Sequence, residues 1–165
     1  MAKKTFTFDA VPANVEELKA IPEASLTDNY ATVALTMLVL LNYENSVDET
    51  HKMLDYLKGP EPLSVYEKQF LKDRLNGKAY VVRSFFEGTS PSNDYTPSKP
   101  YKIEVFDNPY SFQDQGYAQL YMQSSGADSP RFIKVRLKPS EGKWYMVENF
   151  ALSDIRIPVS QDKWA

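Results

Sequence analysis

His51 is the only histidine in this chain of 165 residues, and the side chains around it are where acid–base or metal chemistry would sit. Asp48, Glu49 and Asp55 flank it. At a spacing of four residues His51 and Asp55 share one face of a helix. An imidazole beside a carboxylate can take up a proton or hold a metal ion. The competing reading is a helix histidine that pairs with solvent or with an acid, and the residue inventory favours it. There is no cysteine and no second histidine, so neither a thiolate nor a multi-histidine metal site can form within one chain. Asp107, Asn108 and Asp114 supply oxygen donors in one segment. Their spacing misses the central glycine of a calcium loop, and Asp and Asn that bond their own backbone initiate turns. No Gly-x-Ser-x-Gly elbow and no phosphate-cradling glycine pattern occurs. The expectation is no catalytic residue, no metal ligand and no cofactor.

Carboxylate pairs remain. Glu104, Glu148 and Asp154 lie on or beside segments that read as strands. An inward Glu148 would be a buried acid in need of a partner, and Arg83 and Arg156 are the candidates. Arg83 and Glu148 are therefore the candidate polar groups of a pocket. The alternative is that these are charges on an outer face.

A surface is the more informative feature. Three runs alternate from Tyr117 to Asn149, cut by turns at Gly126–Pro130 and Pro139–Gly142. With Ala118, Leu120 and Met122 inward, Tyr117, Gln119 and Tyr121 face out. With Ile133, Val135 and Leu137 inward, Lys134, Arg136 and Lys138 form a row outside. If these strands pair, a basic stripe lies beside an aromatic one. Tyr117, Tyr121, Lys134, Arg136 and Lys138 then form a candidate binding surface. Such faces bind single-stranded nucleic acid, sugars or proteins. The third run is ambiguous, because Trp144 with Met146 and Tyr145 with Val147 each have a claim to the inside. Trp164 near the end of the chain joins the candidate surface, unless it docks back on the domain, which is the expectation.

These features need elements to position them. Asn14 to Pro22 reads as a short helix with a capping box. Tyr30, Val33, Ala34, Met37, Leu38 and Leu41 recur at helical spacing, with Leu35, Val39 and Leu40 filling the other sides, so this helix belongs in the middle of the domain. Thr27 or Asp28 is its cap. Ser46–Glu49 and Ser64–Glu67 read as capping boxes for two further helices, stopped at Gly59-Pro60 and Asn76-Gly77. The period then changes. Tyr80–Phe86 is rich in β-formers and reads as a strand. A polar loop follows from Thr89 to Pro100, and Tyr101–Phe106 is the next strand. Leu152–Ile157 reads as a short last strand, and Thr5–Phe8 as one that could pair at an edge. The helical part spans about 14–76 and the sheet part about 79–157, within one domain of residues 1–165.

Composition sets the frame. The hydrophobic fraction of 42% and charged fraction of 25% are ordinary for a globular protein, and the net charge of −3 gives no general attraction to nucleic acid or anionic membrane. No apolar stretch is long enough to span a bilayer, and the N-terminus carries two lysines without an apolar segment behind them. The expected location is the cytoplasm.

Several segments resemble a bacterial protein family of unknown function. They are Phe6–Pro12, Leu26–Asp28, Pro109–Ser111, Gly126–Arg131, Leu152–Pro158 and Asp162–Ala165. The resemblance covers nearly the whole chain. It departs at Lys163, where members of that family tend to carry proline. It implies a bacterial, cytosolic origin and no activity, cofactor or catalytic residue.

Together these readings give an α+β fold, with N-terminal helices on one face of a curved antiparallel sheet of about five to six strands. The element order resembles cystatin-like or nuclear-transport-factor-like folds, which carries no function. The leading functional expectation is a non-catalytic binding or accessory protein that acts through protein contacts. A small-molecule pocket or small enzyme on the curved sheet is the alternative, and single-stranded nucleic-acid binding is the second alternative. The partner and the oligomeric state are not encoded in any motif.

Overall fold

The computed structural model describes residues 1–165. The chain runs β1 (Lys3–Phe8), α1 (Val15–Lys19), α2 (Asn29–Leu40), α3 (Val47–Lys58), α4 (Val65–Leu75), α5 (Tyr80–Arg83), β2 (Tyr101–Phe106), β3 (Tyr117–Met122), β4 (Arg131–Lys138) and β5 (Lys143–Asn149). This is an α+β fold. The strands form one open antiparallel sheet in the order β1-β2-β3-β4-β5. No helix is long and apolar enough to cross a membrane.

Helix α2 organises the core. Eleven of its twelve residues are buried, as expected for a segment apolar on every side. It lies across the sheet and meets all five strands. Asp28 caps it by accepting the Tyr30 N–H. The two polar residues inside, Thr32 and Thr36, are satisfied. The Thr36 hydroxyl donates to the Thr32 carbonyl at 2.8 Å, and the Thr32 hydroxyl donates to the Trp144 carbonyl of β5 at 2.9 Å. The start of α2 is tethered as well. The Tyr30 hydroxyl donates to Asp107 at 2.8 Å, and burial together with that carboxylate pushes Tyr30 up to about 12. Ile103, Val105, Leu120, Ile133 and Val135 are fully buried beneath the helices.

Helices α3 and α4 follow their caps. The Ser46 side chain accepts the Glu49 N–H, and Ser64 with Glu67 closes a complete capping box. Gly59 ends α3 with φ at +64°, and the Tyr145 ring occupies the space a Cβ there would need. Only Leu71 and Leu75 of α4 are buried, so α4 stands at the rim of the molecule.

Two expected strands are absent. Residues 80–86 form α5 and a following turn rather than a strand. The Ser84 N–H bonds the Tyr80 carbonyl, Phe85 bonds Val82, and Phe86 bonds Arg83. Val81, Val82, Phe85 and Phe86 are buried. That spacing is helical, and it overrides the β-rich composition. Residues 152–157 form no strand either: Asp154 has φ at +56°, and the Arg156 N–H reaches the Gly126 carbonyl. The Thr5–Phe8 segment does pair at an edge, as part of β1 against β2.

The 89–100 loop is held from both ends. Asn93 bonds the Gly88 carbonyl and the Ser90 N–H. Tyr95 is fully buried and donates to the Arg156 carbonyl at 2.6 Å. Gly126 lacks a side chain because Tyr95 and Ile155 fill the place of one.

Candidate binding surface

The β3–β4 register places Tyr117 opposite Arg136, Gln119 opposite Lys134, and Tyr121 opposite Phe132. The outward residues of the two strands therefore meet as the alternation implies. Lys134 Nζ lies 4.8 Å from the Tyr117 ring centroid, and the Arg136 guanidinium lies 5.1 Å from it. One tyrosine ring thus lies against two cations, an arrangement that holds the side chains extended over the sheet. Arg136 makes no ion pair. Lys134 has a distant one, 3.9 Å from Asp114. Lys138 leaves the stripe and turns to Ser140 at 3.0 Å and Glu141 at 3.3 Å.

Tyr121 belongs to a longer feature. Phe106 of β2, Tyr121 of β3, Phe132 of β4 and Phe150 just after β5 form a row across the sheet. Successive ring centroids lie 6.2, 5.5 and 4.8 Å apart. These residues sit opposite the helix-covered face, and Phe150 is 47% exposed. Phe106 and Phe132 could have been found from the sequence, since they occupy outward positions of their strands. Phe150 could not, because its place depends on a bulge.

That bulge resolves the third run. Lys134 pairs with Glu148 but Val135 pairs with Met146, so Val147 is an extra residue on β5. Met146 is buried beside Val135, and Trp144 packs against the core. Simple alternation would then send Glu148 inside. The extra residue reverses the parity, and Glu148 lies exposed beside Lys134. It is not a buried pocket acid. Leu137 is only half-buried, because it stands near the sheet's end opposite Trp144.

Arg83 and Glu148 are not brought together. Arg83 Nη2 donates to both carboxylate oxygens of Glu44, at 2.8 and 2.7 Å, and Arg156 pairs with Asp128. Glu148 instead borders a depression of about 440 Å³ between α4 and the end of β5, with Leu40, Leu54, Leu71, Met146 and Phe150 among its walls. Lys58 is buried behind one wall, with Nζ 2.9 Å from Glu67 and 3.4 Å from the Val147 carbonyl. Burial pushes the Glu67 carboxyl up. The Lys58 hydrogen bond and charge, with the Ser64 hydrogen bonds, outweigh that and hold it below the ordinary carboxylate range.

His51 and Asp55 do not pair. Asp55 accepts the Leu63 N–H at 2.8 Å and fixes the approach to α4. The His51 ring meets Tyr43 edge-on at 6.3 Å, and its Nε2 is buried without a partner. No three histidine or carboxylate side chains converge at metal-binding distance. Asn108 does form the turn expected of it, accepting the Tyr110 N–H.

Trp164 does not dock. It is 95% exposed, because the turn at Val159–Gln161 and a bond from its own N–H to Asp162 carry it away from the domain. The tail and the aromatic row therefore do not make one continuous surface through a docked indole.

No curated protein matches this chain, and no solved structure does. The family described as a domain of unknown function, DUF6935, matches residues 10–159, and the chain belongs to that family.

Proposed function

We propose that this chain is a non-catalytic binding protein, working as a single domain of residues 1–165 in a bacterial cytoplasm, whose active surface is the outer face of its sheet. The observation that carries the reading is the row Phe106–Tyr121–Phe132–Phe150, with Tyr117, Lys134 and Arg136 beside it. Four rings in series are an unusual load for a face no helix covers. Aromatic residues and arginine are the side chains that carry most energy at protein interfaces. The free Arg136 favours a partner segment that presents an acidic residue beside apolar ones. The absence of cysteine fits a reducing compartment.

A second reading, single-stranded nucleic acid, rests on the same rings and cations, since bases stack on aromatic side chains beside a basic groove. The net charge of −3 and the Asp114 carboxylate near Lys134 weigh against it.

Affinity capture with paired baits tests the first reading. A protein retained by the wild-type chain and lost with Phe132→Ala/Arg136→Glu supports the proposal. Identical captures by the two baits contradict it. Titration with an oligothymidine at low and high salt decides the second reading, which requires binding that weakens as salt rises.

A further inference from the structure

The depression between α4 and β5 meets the outer face of the sheet only at Glu148 and Phe150, and its α4 side is bordered by apolar surface with no evident use within the chain. On α4, Val65 is 85% exposed and Tyr66 is 79% exposed, while Leu71 and Leu75 of the same helix point inside. An amphipathic helix covering a core would not spend its first turn this way. Tyr66, Phe70 and Phe150 all border the depression.

The charges around it are distributed in a particular way. On the helix wall, Arg74 has no carboxylate and no hydrogen-bond partner, and its guanidinium rests 5.0 Å from the Phe70 ring centroid. On the strand wall, Glu148 is exposed and makes no ion pair. The remaining charge, Glu67, is already engaged by Lys58 and Ser64. One free cation and one free anion thus border the same apolar depression, Glu148 from the strand position opposite Lys134. A ligand of a single charge sign would meet one of them unfavourably, so a charged occupant must carry both signs beside apolar groups, as this patch itself does. An uncharged ligand would leave both charges unused.

We infer that the occupant of this depression is a second copy of the chain, docked about a two-fold axis. In such an interface each residue meets a different residue of the partner, and the relation is reciprocal. Arg74 of one copy meets Glu148 of the other, twice, while Tyr66 of each enters the apolar depression of its neighbour. The patch is complementary to itself in charge.

Sedimentation equilibrium of the full chain over about 1–100 μM, where interfaces of modest affinity are half-occupied, gives the test. The mass should rise from 18.9 kDa toward twice that value. Arg74→Glu and Glu148→Arg should each weaken self-association by about tenfold or more, since each sets like charges together at two places. An equimolar mixture of the two variants should recover it, because every reversed position then faces an opposite charge. The inference is overturned if the wild-type chain stays at 18.9 kDa throughout. It is equally overturned if a single reversal associates like the wild type, or if the mixture fails to recover. Glu148 stands opposite Lys134 and Phe150 belongs to both surfaces, so Arg74→Glu, confined to α4, is the variant that keeps this result separate from the fate of the sheet-face proposal.

Discussion

The Phe132 and Phe150 rings lie 4.8 Å apart, and they meet because β5 carries one residue more than its partner strand. The bulge at Val147 lets Met146 enter the core, turns Glu148 outward, and delivers the chain after β5 to the outer face. A single irregularity thus completes the aromatic row and arms the depression beside α4.

The coupling of those rings is measurable. A double-mutant cycle of Phe132→Ala and Phe150→Ala should return an interaction energy of about 0.5–1.5 kcal/mol, the usual range for tilted aromatic pairs. Urea unfolding supplies the four stabilities. Strict additivity would mean that the row is a coincidence of positions rather than a packed unit.

Thr32 and Thr36 carry similar hydroxyls in one helix but should differ in cost. Thr32→Val leaves the Trp144 carbonyl without its donor and should lose about 1–3 kcal/mol. Thr36→Val removes only a bond to a carbonyl of its own helix and should lose under about 1 kcal/mol. Thermal or urea denaturation of the two variants side by side reads the difference.

Gly59 combines a positive φ with a close neighbour. A Cβ there would stand 2.5 Å from two carbons of the Tyr145 ring. Gly59→Ala should therefore cost about 1–3 kcal/mol in backbone strain, with a further loss from displacing Tyr145. The Tyr145 hydroxyl donates to Glu141 at 2.6 Å, and burial with that bond pushes Tyr145 up to about 12. Displacement of the ring should bring its spectrophotometric titration back toward 10, the ordinary tyrosine value.

His51 should make stability depend on pH. Burial, followed by the Lys68 charge, lowers its pKa from the ordinary 6.5, against the opposing pull of Asp48 and Asp55. The unfolded chain thus binds a proton more readily than the folded one. Stability is complete above pH 6.5 and declines as the pH falls toward and through the lowered folded value. His51→Gln should flatten that part of the profile, measured by urea unfolding between pH 8 and pH 5. An unchanged slope would mean that His51 titrates freely in the folded state.

Much of this was legible in the sequence, for identifiable reasons. Strands β3 and β4 could be read by face because a period of two is unambiguous when Ala118, Leu120, Ile133 and Val135 alternate with polar or aromatic neighbours, whereas their register comes from the structure. Helix α2 was legible because it is apolar all round. Residues 80–86 mislead because their β-branched and aromatic content masks the helical spacing of buried positions 81, 82, 85 and 86. Glu148 and Phe150 could not be placed, since a bulge leaves no mark in the residues that form it. Trp164 was expected to dock, but its place is set by a three-residue turn and a backbone bond to Asp162, both local events.

On the function proposed above, the outer sheet face contacts a protein partner. Photo-crosslinking in cells that make the protein tests it most directly, with a benzophenone side chain installed at position 132 and, as control, at exposed Lys72 on α4. A light-dependent adduct of defined mass should form at 132, be absent at 72, and be suppressed by Arg136→Glu. An absent adduct at 132, or one unaffected by Arg136→Glu, would contradict the claim.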